Sequence, residues 1–474
     1  MWSNLSLPVR TSIAIMIASF FQSGMKLIFV PIFTRLMTTS EYGVVTVFED
    51  IQTTLGTITM LSLSASCYNR GMQEFKQDRD RFTTSLLFLS NLCTLTVGVF
   101  FIVFHRELST LLKLPGLLMF IMFLNFIFMP AYNFWIARQR FEYRYRGMLI
   151  VTVLINIFSP LFALGLILIL PGDKSLSKIM GSEIVLMLAY ITLYVVTIKK
   201  SSGKFKRGYM KYGLHFNIPL IPHYASQQIL SSSDRIMIQA MIDSASAGIY
   251  GLSYQVATVV RIIWTSINTV LIPWEYDKVE SGDIDSIKRL TRTLIVFYGV
   301  LCVGVMFVAP EVIRIFAPSS YHDGIYVIPP VIAGTFFTGL YSMLAILEFY
   351  YKKNVYVMIA STIAAILNVI LNWIFIPIFG YQAAAYTTLF CYVVYAMLHA
   401  YNLKRLKLSH YYDMKAIYIL SALVIAISLF VARTYDGFIL RYSLLLVLLL
   451  IAFIKRKTLM ETVLSLKKKK KNEN

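Results

Sequence analysis

Residues 248–272 read GIYGLSYQVATVVRIIWTSINTVLI. As a helix this stretch is about 37 Å long, enough to cross a hydrocarbon core of about 30 Å. It is apolar overall, yet Tyr250, Tyr254, Thr258, Arg261, Thr265 and Asn268 recur on one face at 100° per residue. Arg261 lies about 20 Å along the helix from Gly248, near the midplane of a bilayer. A cation at that depth costs about 2.5–3.5 kcal/mol on insertion scales, so it calls for a hydrated space or a partner. One segment thus predicts a helical membrane protein with a polar interior.

The rest of the 474-residue chain repeats the pattern. Hydrophobic residues make up 57% and charged residues 14%, against about 25% charged in soluble proteins. The mean hydropathy is +0.67. No soluble fold has interior enough for this apolar content, and the same numbers exclude a disordered chain and a disulfide scaffold. Cys67, Cys93, Cys302 and Cys391 form no CxxC pair and read as small buried hydrophobes. Fourteen spans are expected, centred near Phe20, Leu55, Leu95, Phe126, Phe158, Met187, Gln228, Ile262, Val303, Leu340, Ala365, Tyr392, Ile425 and Val447. The first runs on past the length of a signal-peptide core and is expected to be retained.

The formal net charge of +20 does not indicate nucleic acid, because the cations sit in alternate short loops and a tail. Of the 44 Lys and Arg, 33 fall in one set of loops and termini and 7 in the other. The positive-inside rule places the first set, with both termini, in the cytoplasm. The expected organisation is an N-terminal lobe of six helices (1–200), a basic linker (201–212), a C-terminal lobe of six (213–407), two further helices (408–457) and a basic tail (458–474). The fold class is an all-α polytopic membrane protein, its two pseudo-symmetric lobes enclosing a central cavity.

Three more spans carry polar stripes. The first has Ser12, Ser19, Gln22, Ser23 and Lys26, and the second Thr46, Glu49, Thr53, Gly56, Thr57 and Ser64. The seventh has His223, Gln227, Ser231 and Asp234. Ser and Thr faces are equally explained by helix packing, so the weight rests on charged and larger polar groups. Arg261, Lys26, Tyr250, Tyr254, Asn268, Gln22, His223 and Gln227 are the candidate substrate contacts. Glu49, Asp50 and Asp234 are the candidates for coupling to a proton or sodium ion. Asp234 could pair with Arg235, Glu49 or Asp50 with Arg35, Glu311 with Arg314 at i, i+3, and Glu348 with Lys352 at i+4. His399 is read as an interfacial residue.

No Walker loop, HExxH or GxSxG occurs in the sequence. No catalytic residue, metal site or cofactor is expected. Outer loops of about a dozen residues leave no room for the catalytic domain of a glycan polymerase or ligase.

The halves echo each other: Thr38 to Gly43 after the first span aligns with Asp243 to Gly248 after the seventh. Pro31-Ile32-Phe33-Thr34-Arg35-Leu36-Met37 with Glu41-Tyr42-Gly43, then Asp234-Arg235 with Ala247-Gly248-Ile249-Tyr250, resemble the first- and seventh-helix segments of Wzx-type polysaccharide flippases. Leu367-Asn368, Leu371-Asn372, Ile376-Pro377, Gly380 and Ala384-Ala385 are similar to that family's eleventh-to-twelfth-helix segment. Thr39 replaces the usual proline of the first outer loop, and Ala383 the second glycine of the last motif. The resemblance runs over about residues 10–405. The family belongs to the multidrug/oligosaccharidyl-lipid/polysaccharide exporter superfamily. The resemblance implies a flippase in a bacterial inner membrane, moving an undecaprenyl-pyrophosphate-linked oligosaccharide, an O-antigen or capsule repeat unit, to the outer leaflet. Membrane lipids, a coupling ion and other polysaccharide assembly proteins are the partners it implies. The rival reading is an ion-coupled exporter of small molecules, kept open by Glu49 and Asp50.

Overall fold

The computed structural model describes residues 7–65 and 67–454. Among them the chain forms α-helices and short 3-10 turns, with no strand. In order these are α1 (Leu7–Leu36), α2 (Thr39–Thr59), α3 (Cys67–Glu74), α4 (Arg79–Val103), α5 (His105–Leu112) and α6 (Gly116–Phe141). There follow α7 (Tyr145–Ile169), α8 (Lys174–Lys200), α9 (Arg207–Asn217), α10 (Ile221–Met241), α11 (Ser244–Glu280) and α12 (Ile284–Phe307). The last are α13 (Ala309–Phe316), α14 (Ile328–Tyr350), α15 (Asn354–Phe379), α16 (Gln382–Arg405), α17 (Met414–Phe430) and α18 (Phe438–Ile454).

All fourteen expected centres fall within helices, and α3, α5, α9 and α13 are short additions. Eleven helices are long and apolar enough to cross a membrane. Of the other three, α2 and α10 are diluted by their polar faces, and α18 has only 17 residues. The chain is a multi-pass membrane protein. The basic tail 458–474 lies outside the described residues.

Local chemistry sets the helix ends. Thr38 and Glu41 form a reciprocal capping box at the start of α2. Asp173, Asp283 and Asp413 each accept a backbone N–H at the starts of α8, α12 and α17. Gly380, at φ 76°, ends α15 in a conformation that favours glycine. Pro31, Pro130, Pro160, Pro273 and Pro377 stand inside helices, a placement spans tolerate better than soluble helices do.

Contacts divide the chain into two compact units, Met1–Gly248 and Ile249–Asn474. In the first unit α9 packs against α4 and α10 lies along α2. In the same unit α8 packs between α6 and α7, and α1 lies on α7. An aromatic cluster of Tyr68, Phe82, Phe134 and Tyr209 holds α3, α4, α6 and α9 together. In the second unit α14 is the most buried span and contacts α12, α16 and α17. The four cysteines are free thiols; Cys67, Cys302 and Cys391 are buried.

Two local pairings differ from expectation. Glu311 does not pair with Arg314; it takes both nitrogens of the Arg441 fork, at 2.8 and 2.5 Å. Burial raises the Glu311 carboxyl, but that fork more than offsets it and holds the group below its ordinary range. Glu348 does not pair with Lys352, because α14 ends at Tyr350 and Lys352 turns to φ 57°. Its partner is His399, which is fully buried rather than interfacial.

Candidate functional site

In the first unit the polar groups of α2 and α10 form one connected network. Glu49 and Asp50 are consecutive on α2, so their side chains diverge by about 100°. Glu49 reaches α8, where Lys178 Nζ donates to its Oε1 at 2.8 Å. Asp50 reaches α10 and receives the Arg235 fork: Nη2 donates to Oδ1 at 2.7 Å and Nε donates to Oδ2. The same Nη2 donates to the Ser231 carbonyl. Asp50 therefore pairs with Arg235, not Arg35, whose Nη1 donates to the Pro31 carbonyl at 2.8 Å. Lys178 lies one turn inside α8 and completes this network. Asp234 is buried beside Arg235.

A residue missed from the sequence joins them. Glu183 on α8 is buried and accepts from two amides, Asn125 on α6 and Gln52 on α2. Its signal was plain: a single carboxylate near the middle of the apolar run 175–198. Next to this network a cleft of about 210 Å³ is lined by Gln52, Thr53, Gly56, Thr57, Ser62, Ser64 and Asn133, among others. Thr53, Gly56 and Thr57 are the later part of the α2 stripe, whereas Ser64, expected on the same face, lies in the turn after the helix ends at Thr59. On α1, Gln22 and Lys26 are exposed, on a span of which most residues are not buried. Lys26 is within electrostatic reach of Glu49. On α10, His223 and Gln227 are half-buried, with the His223 ring 5.8 Å from that of Tyr224.

In the second unit α11 carries the stripe. Arg261 is exposed, and among the described residues no carboxylate lies within 4 Å of its guanidinium. On the buried side of the helix the Trp264 indole N–H donates to Ser342 Oγ on α14 at 2.7 Å, which fixes the rotation of α11 about its axis. Thr258 and Thr265 turn their hydroxyls back onto the carbonyls of Tyr254 and Arg261, so they serve the helix rather than a ligand. Tyr250 is fully buried and its ring packs 6.3 Å from that of Tyr254. Tyr254 and Asn268 are half-buried, and Asn268 Oδ1 has no hydrogen-bond partner among the described residues.

An exposed guanidinium on a spanning helix offers a planar fork for paired anionic oxygens. The first unit offers paired charges, a polar cleft and one carboxylate held by neutral amides.

Comparison with known proteins identifies the architecture. The family described as polysaccharide biosynthesis protein matches residues 9–275. A protein of the Lsg locus of Haemophilus influenzae is 26% identical over 202 residues, 42% of this chain, and the match spans half the length of that relative. The fold resembles the lipid II flippase MurJ in an inward closed conformation, with a TM-score of 0.72 at 15% identity over 95% of this chain and 99% of that one. It also resembles an inward-facing multidrug resistance transporter of the MATE family (TM-score 0.62, 12% identity, 86% of this chain and 99% of that one). The Vibrio cholerae MATE transporter VcmN is similar at a TM-score of 0.52 and 10% identity, over 84% of this chain and 97% of that one. With more than half of its length matched by the family and nearly all of it superposing on the fold of these membrane proteins, the chain belongs to the polysaccharide biosynthesis protein family.

Proposed function

We propose that the protein moves an undecaprenyl-pyrophosphate-linked oligosaccharide, an O-antigen or capsule repeat unit, from the cytoplasmic to the outer leaflet of a bacterial plasma membrane by alternating access. The lipid tail stays in the bilayer while sugar and pyrophosphate cross, and those groups need water, hydrogen bonds and positive charge. The observation that supports this reading is Arg261: a guanidinium near the middle of an apolar span, exposed and without a carboxylate partner among the described residues. Water and the pyrophosphate satisfy it in turn. Lys26 supplies a second cation, and Tyr254, Asn268, Gln22, His223 and Gln227 supply contacts to sugar. Among the coupling candidates Glu49 and Asp50 are held in ion pairs with Lys178 and Arg235, and one of these two or Asp234 exchanges a proton or a sodium ion during transport.

Arg261→Ala is expected to abolish surface glycan in a complemented deletion strain while the protein remains in the membrane at normal level by immunoblot. Arg261→Lys, a point charge without the fork, retains part of the export. Full export by Arg261→Ala would refute the anion-site reading and favour an exporter of small cationic compounds.

A further inference from the structure

The second unit buries an acid–base cluster that the reading above does not use. Glu348 on α14 and His399 on α16 are 0% exposed, and His399 Nδ1 lies 2.6 Å from Glu348 Oε2. The rings of Tyr341 and Tyr395 flank the imidazole, at 5.7 and 4.9 Å. Glu275, near the end of α11, is also 0% exposed and contacts the Tyr412 hydroxyl through Oε1. Tyr412 lies within electrostatic reach of Glu348 as well, so the groups form one cluster.

Two features show that the cluster is built around protons. The Tyr412 hydroxyl has one proton but faces two oxygens, Glu275 Oε1 and the Met343 carbonyl at 2.9 Å. Both contacts are hydrogen bonds when Tyr412 donates to Met343 and a protonated Glu275 donates to Tyr412. Secondly, Glu275 Oε2, Glu348 Oε1 and His399 Nε2 are buried without a hydrogen-bond partner among the described residues. No Lys or Arg among the described residues forms an ion pair with either carboxylate. The cations on neighbouring elements are engaged elsewhere or lie outside: Arg292 on α12 pairs with Asp413, Lys278 on α11 pairs with Asp283, Arg405 on α16 lies over Tyr356 of α15, and Lys352 and Lys353 are exposed in the turn after α14.

Burying two carboxylates with no cation but an imidazole is unfavourable unless the cluster is neutral. Neutrality requires two protons on three basic groups. They sit on one carboxyl and the imidazole, or on both carboxyls; in each case one group can still accept. The 2.6 Å bond between Nδ1 and Oε2 is the path between the two arrangements.

We propose that Glu348, His399, Glu275 and Tyr412 form a buried proton-binding site of the C-terminal unit. A proton enters at Nε2, and the imidazolium donates through Nδ1 to the Glu348 carboxylate; its release returns neutral imidazole. The bond joins α14 to α16, so each exchange changes the charge at a helix–helix contact. That this proton drives transport rests on the flippase reading; that it binds does not.

The test uses the purified full-length chain in liposomes and infrared difference spectra between about pH 8 and about pH 5, the range in which histidine titrates. Wild type is expected to show protonated-carboxyl and imidazolium bands on acidification. Glu348→Gln and His399→Gln, which keep a hydrogen-bonding amide at each position, are expected to lose them. The double variant, a neutral amide pair, guards against misfolding of a single one. Spectra that superimpose on wild type in all three variants would overturn the site. In the deletion strain, wild-type export is expected to vary with external pH and Glu348→Gln export is not. Lost bands with an unchanged pH response of export would overturn the coupling role. If wild type restores no surface glycan, the flippase reading fails, and the spectra still decide proton binding.

Discussion

Asp283 joins α11 to α12 through two contacts. Its carboxylate takes the Lys278 ammonium and accepts the Ser286 backbone N–H at 3.2 Å as the N-cap of α12. The Lys278 hydrogen bond is the main reason its carboxyl is held down to about 2, from about 3.9 in an unfolded chain. A depressed carboxyl stabilises the fold above the ordinary carboxylate range and loses that contribution as pH falls through about 2. Asp283→Ala is therefore expected to cost about 1 kcal/mol at neutral pH, chiefly from the lost cap. In thermal unfolding in detergent the gap to wild type should narrow as pH approaches about 2. A gap of constant size down to that pH would show that the charge contributes nothing. Arg261 and Glu183 show a contrast in legibility. Arg261 is the one charge in its apolar run and Glu183 the one carboxylate in its own, and both are visible in the sequence. The amides that hold Glu183 come from two other helices, and no local pattern pointed to them.

The two turns that the sequence aligns as repeats prove to be each other's packing partners. A Cβ on Gly43 would overlap the carbonyl oxygen of Ser244, and one on Gly248 that of Thr39. Thr39 and Ser244 each stand four residues before the glycine, so the contact between α2 and the first turn of α11 is reciprocal. Backbone oxygen cannot swing aside as a side chain does. Gly43→Ala and Gly248→Ala are expected to destabilise by about 1–3 kcal/mol, seen as a lowered unfolding midpoint of the purified protein. Gly24→Ala, where a methyl meets no neighbour within 4 Å, serves as the control and should leave the midpoint unchanged. A wild-type midpoint for both tight glycines would mean that the helices separate there at no cost.

Across the first unit, one set of helix ends meets at Lys174. Its Nζ donates to the Leu36 carbonyl at the end of α1, and its backbone N–H donates to Glu41 at the start of α2. Those ends therefore share one side of the membrane with the start of α8. Arg79, Arg138 and Arg144 gather around Glu142 where α4 begins and α6 ends, the side that the orientation proposed from the charge bias puts in the cytoplasm. Reporter fusions at Lys174 and Ser319 are expected to read outside, and one at Lys204 inside. An outside signal at Lys204 would reverse the proposed orientation and the direction of transport with it.

The helical membrane character, the polar stripe of α11 and the charge asymmetry are all legible in the sequence, because each is a property of a short window of chain. Hydropathy sums over about 20 residues, and a helix repeats its faces every 3.6. The partners were not legible, because a pairing depends on how helices distant in sequence rotate and approach. Asp50 finds Arg235, Glu49 finds Lys178 and Glu348 finds His399. The i+4 spacing of Glu348 and Lys352 misled because the helix stops between them. Tyr250 is in phase with Tyr254 yet fully enclosed, since a helical face has no depth until its neighbours are in place. Local chain chemistry told which segments enter the membrane and which faces are polar; packing over long sequence distances selected which charges meet.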